Sequence, residues 1–284
     1  MNFTMYSGFS GMVAAGGIEK AAEYAKNLGF SSVEFLEFSG VGRPPVIATR
    51  EKAKRAKDTL EKYGLSVACY SVYANLWKSE RTERDLIDHT RIAAELGSPY
   101  LHHTILPWMK IPENLPERQK VFDEVLPSVV RVADAAAKVG VTCLYEEQGF
   151  FVNGVEDYGN FYRAVKKQCG HVGVCGDLGN ILFVDENADV FFREFIGEIK
   201  HVHVKDYLRQ SALQSPGNGW MRTKNGDWLL DTWVGNGVVR IEECIRLLRA
   251  VGYQGKLAME LCFTEGYEEA VSQAMNYLEE LWNE

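Results

Sequence analysis

Three carboxylates and one imidazole stand out because each closes or nearly closes a short apolar run. Glu146 ends VTCLYE, Asp177 ends VGVCGD, His203 lies within IKHVHVKD, and Glu260 ends KLAME. If these runs are adjacent strands of one sheet, their ends bring the four groups together, and three carboxylates so placed repel each other strongly unless a cation sits among them. Mostly oxygen donors with one imidazole suit a hard or borderline divalent ion. Mn2+ is the first expectation, with Mg2+, Co2+ and Zn2+ as alternatives, and open positions would remain for two substrate oxygens. A metal chelating a carbonyl and the hydroxyl beside it would stabilise an enediolate formed when a carboxylate removes the α-proton. Taken singly, each residue reads equally well as a solvated carboxylate or a hydrogen-bonded core histidine. The four together favour a metal site, because unpaired buried charge is expensive.

Further candidates surround this quartet. Side-chain alternation places His201, His203 and Lys205 on one strand face, and Thr142, Leu144 and Glu146 on one face of another. Lys205 is expected to meet a substrate oxygen or Asp177, and Asp206 to orient its neighbours. Glu34 shares its face with Leu36 and by itself reads as an ion pair at the barrel floor or a rim hydrogen bond. His102 and His103 close a fourth run, where alternation with Leu101 turns His103 toward the site. Tyr6, Trp77, Trp108, Trp220, Trp228 and Trp233 fall near strand ends or in loops, where flat rings suit the C–H face of a sugar. No more than two are expected to touch a ligand.

The elements that must position these residues alternate along the chain. The expected strands are Phe3–Ser7, Ser32–Glu37, Ser66–Val72, Pro99–Thr104, Val141–Glu146, Val172–Asp177, Ile199–Lys205 and Lys256–Glu260. Between them run stretches with helical apolar spacing: Ile18–Asn27, Arg50–Tyr63, Glu83–Leu96, Gln119–Val139, Tyr158–Gln168, Ala188–Gly197, Ile241–Val251 and Glu268–Leu281. KNLG, KYG, AELG, AKVG and AVG put a glycine where a helix must stop. Strand-loop-helix-turn units predict parallel strands with right-handed crossovers. Eight units in 284 residues predict a single-domain (β/α)8 TIM barrel over residues 1–284. The open nucleotide-binding sheet is disfavoured, because SGFSGMVAAGG lacks GxGxxG spacing and a ribose-binding acid. Gln210–Val234 reads as a long insertion after strand seven, on the barrel face that carries active sites.

Composition narrows the partners. A net charge of −8 leaves no basic surface for a nucleic-acid backbone. The N-terminus lacks the charged and apolar regions of a signal peptide, and no run approaches the ~20 apolar residues of a membrane span. A cytoplasmic protein acting on a small, polar, metal-held substrate is expected, without nucleic-acid or membrane partners. The six cysteines are scattered without CxxC spacing and read as reduced core residues.

The ordered set LYEEQ, GDLGN, HVHVKD and GYQGKLAMEL, preceded by GFSSVEF, resembles the xylose isomerase-like TIM barrel superfamily. That superfamily includes sugar epimerases, inosose dehydratases and endonuclease IV-type enzymes. The resemblance implies that Glu146, Asp177, His203 and Glu260 take the metal-ligand positions of the tagatose and psicose 3-epimerase branch, with Glu146 and Glu260 also forming the catalytic acid/base pair. It further implies that Arg209 contacts substrate oxygens and that Glu34 lies near the substrate. The chain departs from the epimerase pattern at two places. Asn180 replaces the substrate-binding imidazole of a DxxH element, and Val152 replaces a glutamate six residues after the first ligand. The expected activity is a divalent-metal-dependent sugar or polyol isomerase or epimerase. An inosose-type dehydratase or keto-sugar lyase is the alternative on the same scaffold, and a non-catalytic metal- or sugar-binding barrel is the alternative of another class. The acidic net charge and an incomplete trinuclear zinc set oppose endonuclease activity, and a homo-oligomer is expected.

Overall fold

The computed structural model describes residues 1–39, 45–262 and 265–284. Its strands are β1 (Phe3–Met5), β2 (Ser32–Phe38), β3 (Ser66–Tyr73), β4 (Tyr100–His103), β5 (Thr142–Glu146), β6 (Val172–Asp177), β7 (Ile199–Val204), β8 (Asp206–Gln210), β9 (Met221–Arg222), β10 (Trp228–Thr232) and β11 (Lys256–Met259). The helices are α1 (Phe9–Gly16), α2 (Ile18–Asn27), α3 (Arg50–Lys62), α4 (Glu80–Leu96), α5 (Arg118–Ala137), α6 (Val155–Gln168), α7 (Ala188–Phe195), α8 (Ile241–Ala250) and α9 (Tyr267–Asn283). β1 to β7 and β11 close into a barrel in the order β1-β11-β7-β6-β5-β4-β3-β2. All eight barrel pairings are parallel. The fold is the (β/α)8 barrel that the alternating units predict.

Local chemistry explains where the helices begin and stop. The Thr49 side chain accepts the Lys52 N–H at 3.2 Å and so caps α3, and Ser79 does the same for α4 through Thr82 at 3.2 Å. Gly97, at φ 73°, ends α4 and donates its N–H toward the Ala93 and Ala94 carbonyls. Each helix presents an apolar stripe to the barrel. In α3 that stripe is Ala53, Ala56, Thr59 and Leu60.

The strands bury both faces differently. Phe35, Tyr70, Leu101, Tyr145, Val174, Val202 and Met259 belong to the continuous apolar core shared with the helices. Burying such side chains contributes about 1.5–3 kcal/mol each. The lumen holds a separate small apolar layer of Cys69, Leu144 and Cys175. The polar lumen residues Glu34, Ser71, His102, His201 and His203 share its face and are themselves buried.

Two segments differ from the sequence reading. The glycine-bearing first turn carries α1, whose Phe9 is fully buried against Phe35. The insertion after strand seven is partly ordered as sheet, with β8, β10 and β9 pairing antiparallel outside the barrel. All six cysteines are free, five of them buried and Cys262 exposed. Among the described residues, no helix is long and apolar enough to cross a membrane.

Candidate metal centre

Register brings the quartet together. Asp177 of β6 pairs with His203 of β7, and Ala258 of β11 pairs with His203 from the other side, so Glu260 stands one pleat farther along the same lumen face. Glu146 ends β5, directly across β6. One potential ligand atom from each of Glu146, Asp177, His203 and Glu260 lies within 4.8 Å of the others. The Nδ1 of His203 is 2.7 Å from Glu146 Oε1, 3.3 Å from Glu260 Oε2 and 3.9 Å from Asp177 Oδ2. Glu146, Asp177 and His203 are closed off from solvent, whereas the Glu260 side chain keeps 20% of its surface, so the approach to the quartet runs past Glu260.

The turn after β6 fixes Asp177. Its Oδ1 accepts the Gly179 and Asn180 N–H groups, each at 2.7 Å. Its Oδ2 is paired with Lys205 Nζ at 2.9 Å. Lys205 is 2.9 Å from Glu260 Oε2 as well and donates to Asn180 Oδ1 at 3.2 Å. A side chain at position 179 would collide with this lysine: a Cβ there would sit 2.6 Å from Lys205 Cγ and 2.6 Å from Tyr207. The Nδ2 of Asn180 is buried with no partner. The Asp177 N–H donates to Glu147 Oε1 at 3.0 Å, a buried carboxyl that the sequence reading did not single out.

A second polar layer lies beneath. Glu34 places Oε2 at 2.6 Å from His201 Nε2 and Oε1 at 3.2 Å from His203 Nε2, so Glu34 forms the ion pair at the barrel floor and neither a rim hydrogen bond nor a substrate contact. The Ser71 hydroxyl donates to Glu34 Oε1. Ser71 also lies 2.9 Å from His102 Nδ1, and His102 Nε2 is 3.6 Å from Glu146 Oε2. Glu34, His201 and His203 also fall within 4.8 Å of one another, a proximity that the hydrogen bonds explain.

The histidine assignment on β4 is reversed. His102 faces the lumen, its ring edge-on to His203 at 5.4 Å, while His103 faces the helix layer, edge-on to Tyr145 at 5.3 Å. Leu101 shares the outward face of His103 and sits in the strand-helix core. The apolar side of a barrel strand is the outer one here, so alternation counted from Leu101 pointed the wrong way.

The electrostatics follow from burial and charge. Burial by itself disfavours the ionised form of every group here. It raises Glu146 to about 7, with His203 opposing and Asp177 and Glu260 adding to the rise. Burial acts on Glu260 too, but Lys205 and His203 hold it at about 2. Without a cation between them the two glutamates are thus pushed in opposite directions, whereas a bound cation would favour the ionised form of both. Burial would push Glu34 toward its neutral acid, and His203 and His201 instead hold it well below the usual carboxylate range. Burial opposes a charged Lys205, yet Asp177 and Glu260 raise it well above the usual lysine value.

The remaining candidates lie farther out. Arg209 sits on β8 with its guanidinium clamped between Asp185 Oδ1 at 2.6 Å and Asp227 Oδ2 at 2.7 Å. Val152 is buried in a bridge with Gln148. Asp206 accepts four backbone N–H groups, from Tyr207, Gly235, Gly237 and Val239, and so ties the VGNG loop to β8. Of the aromatic candidates, Tyr6 stacks on His203 at 4.7 Å, whereas Trp77 and Trp108 pack edge-on against each other.

The donor set fits a divalent cation. Three carboxylates and one imidazole nitrogen converge, and the single lysine ammonium beside them offsets only two of the acids. Comparison with known proteins agrees with this architecture. The chain is 24% identical over 223 residues to an inosose dehydratase of Bacillus thuringiensis, a match covering 72% of each chain. In structure it resembles the 3-keto-D-glucoside 4-epimerase of E. coli in its apo form, with a TM-score of 0.71, 16% identity and 98% of each chain covered. It also resembles a xylose isomerase-like TIM barrel protein of Mycobacterium smegmatis in complex with magnesium, with a TM-score of 0.68, 18% identity, and 95% of this chain and 89% of that one covered. The family model described as the xylose isomerase-like TIM barrel matches residues 22–281. The chain therefore belongs to the xylose isomerase-like TIM barrel family.

Proposed function

We propose that the protein is a divalent-metal-dependent isomerase or epimerase of a keto sugar or keto polyol, with Glu146, Asp177, His203 and Glu260 as the metal ligands. The observation that carries this reading is the convergence of these four side chains at the strand ends. The cation, Mn2+ being the first to test, supplies positive charge that polarises a carbonyl and the hydroxyl beside it. Glu260, held ionised at the open side, takes the proton from the carbon next to the carbonyl. Glu146, the enclosed glutamate, returns a proton to that carbon. Lys205 stays charged and, with the unpartnered Nδ2 of Asn180, binds substrate oxygens beside Glu260. His103 and Glu34 are withdrawn from the substrate by their positions, and Arg209 reaches it only by leaving Asp185 and Asp227.

Elimination is the second reading, and one observation favours it. A buried ammonium and an amide stand beside Glu260 in place of an imidazole, a pairing that can hold a departing hydroxyl. The match to an inosose dehydratase points the same way. The experiment is a metal-replete screen of ketohexoses, keto-inositols and 3-keto-glucosides in D2O. Deuterium incorporation with the carbon skeleton intact supports epimerisation, loss of water supports the lyase, and neither event on any substrate leaves a non-catalytic barrel.

A further inference from the structure

Beneath the quartet, Glu34 is fully buried, and both of its carboxylate oxygens are occupied. Oε2 is bound to His201 Nε2, while Oε1 serves His203 Nε2 and the Ser71 hydroxyl. One nitrogen of His203 thus faces the floor and the other, Nδ1, faces the quartet. An imidazole that gives one N–H to a carboxylate is fixed in tautomer and ring orientation, which leaves the opposite nitrogen to bind a metal. Tyr6, stacked on the ring with an interplanar angle of 20°, restricts its tilt.

We infer that Glu34 is a positioning residue that holds the Nε2–H tautomer of His203 and thereby sets the affinity of the quartet for its cation. The inference rests on reading the quartet as a metal site. A glutamine can still serve both rings, its oxygen accepting from His203 Nε2–H and its NH2 donating to His201 Nε2 once that ring, whose Nδ1 is unpartnered, takes its other tautomer. A leucine offers neither ring a partner.

The test is calorimetric titration of metal-stripped protein with Mn2+, with the fold of each variant followed by circular dichroism. Wild type is expected to bind one ion per chain. Folded Glu34→Leu should bind about 10- to 100-fold more weakly, and Ser71→Ala, which leaves His203 Nε2 untouched, within about threefold of wild type. Unchanged affinity in folded Glu34→Leu overturns the inference, and so does an equal loss in Ser71→Ala, which would mark a general disturbance of the floor. Wild type that takes up no divalent ion overturns the metal reading and the inference with it. Should Glu34→Leu fail to fold, 15N NMR of histidine-labelled, zinc-loaded wild type decides. A proton on Nε2 of His203 supports the inference, and a proton on Nδ1 overturns it.

Discussion

Lys205 Nζ lies 2.9 Å from Glu260 Oε2 and stands equally close to Asp177, so one buried ammonium offsets two of the three quartet carboxylates. Removing one partner of a buried pair leaves uncompensated charge and costs about 3–5 kcal/mol. Lys205→Met is therefore expected to lower the melting temperature sharply in EDTA. Added Mn2+ should raise it more in the variant than in wild type, because the ion replaces the missing charge. Equal metal-induced shifts in the two proteins would show that the lysine and the ion do not answer the same carboxylates.

The two glutamates should act in chemistry more than in folding. Glu146→Gln and Glu260→Gln are each expected to reduce solvent deuterium exchange on an active substrate by about 10²- to 10⁴-fold. Their circular dichroism should match wild type. Turnover that survives both substitutions would remove the acid/base assignment.

Asp206 should matter for the loop it ties down. Asp206→Ala strips the acceptor from the N–H groups of Tyr207, Gly235, Gly237 and Val239, a loss expected to cost about 1–3 kcal/mol in urea unfolding once water reaches part of the loop. Gly237→Ala should be comparably harmful, because its Cβ would sit 2.1 Å from Asp206 Oδ1. Wild-type stability in both variants would contradict this role.

Acid should weaken the fold through its buried neutral histidines. Burial lowers His103 to about 4, only partly opposed by the Thr104 carbonyl, and lowers His102 to about 3. The unfolded chain takes up a proton near pH 6.5 that folded His103 refuses, so stability is complete above that pH and falls until the folded pKa is reached. Across this window His103 accounts for about 3 kcal/mol. His103→Phe, which keeps a ring against Tyr145, should flatten the loss seen by urea unfolding between pH 7 and pH 4.5. An unchanged pH slope would contradict the burial argument.

The barrel was legible because β-branched runs and glycine-stopped amphipathic stretches repeat with one period, and that pattern survives small boundary errors. β4 was expected over Pro99–Thr104 and spans Tyr100–His103. The quartet stood out because each member interrupts an apolar run at the end that becomes the active face. What stayed hidden depends on direction and distance. The facing of His102 and His103 turns on which side of β4 meets the helices, and Leu101 alone could not decide it. Ser71 gave no signal beyond sharing a strand face with Cys69. Glu147 sits beside a stronger candidate and reveals its part only through the Asp177 N–H. Arg209 matched a motif position, yet its partners Asp185 and Asp227 come from distant segments that no spacing rule connects to it. Local propensity likewise concealed α1 behind its glycines.

The most direct test of the metal centre is an anomalous difference map from crystals soaked in Mn2+ and measured at the manganese edge. A single strong peak bounded by the Glu146, Asp177 and Glu260 carboxylates and by Nδ1 of His203 is the predicted result. A map with no peak there, or with manganese bound only elsewhere, would contradict it.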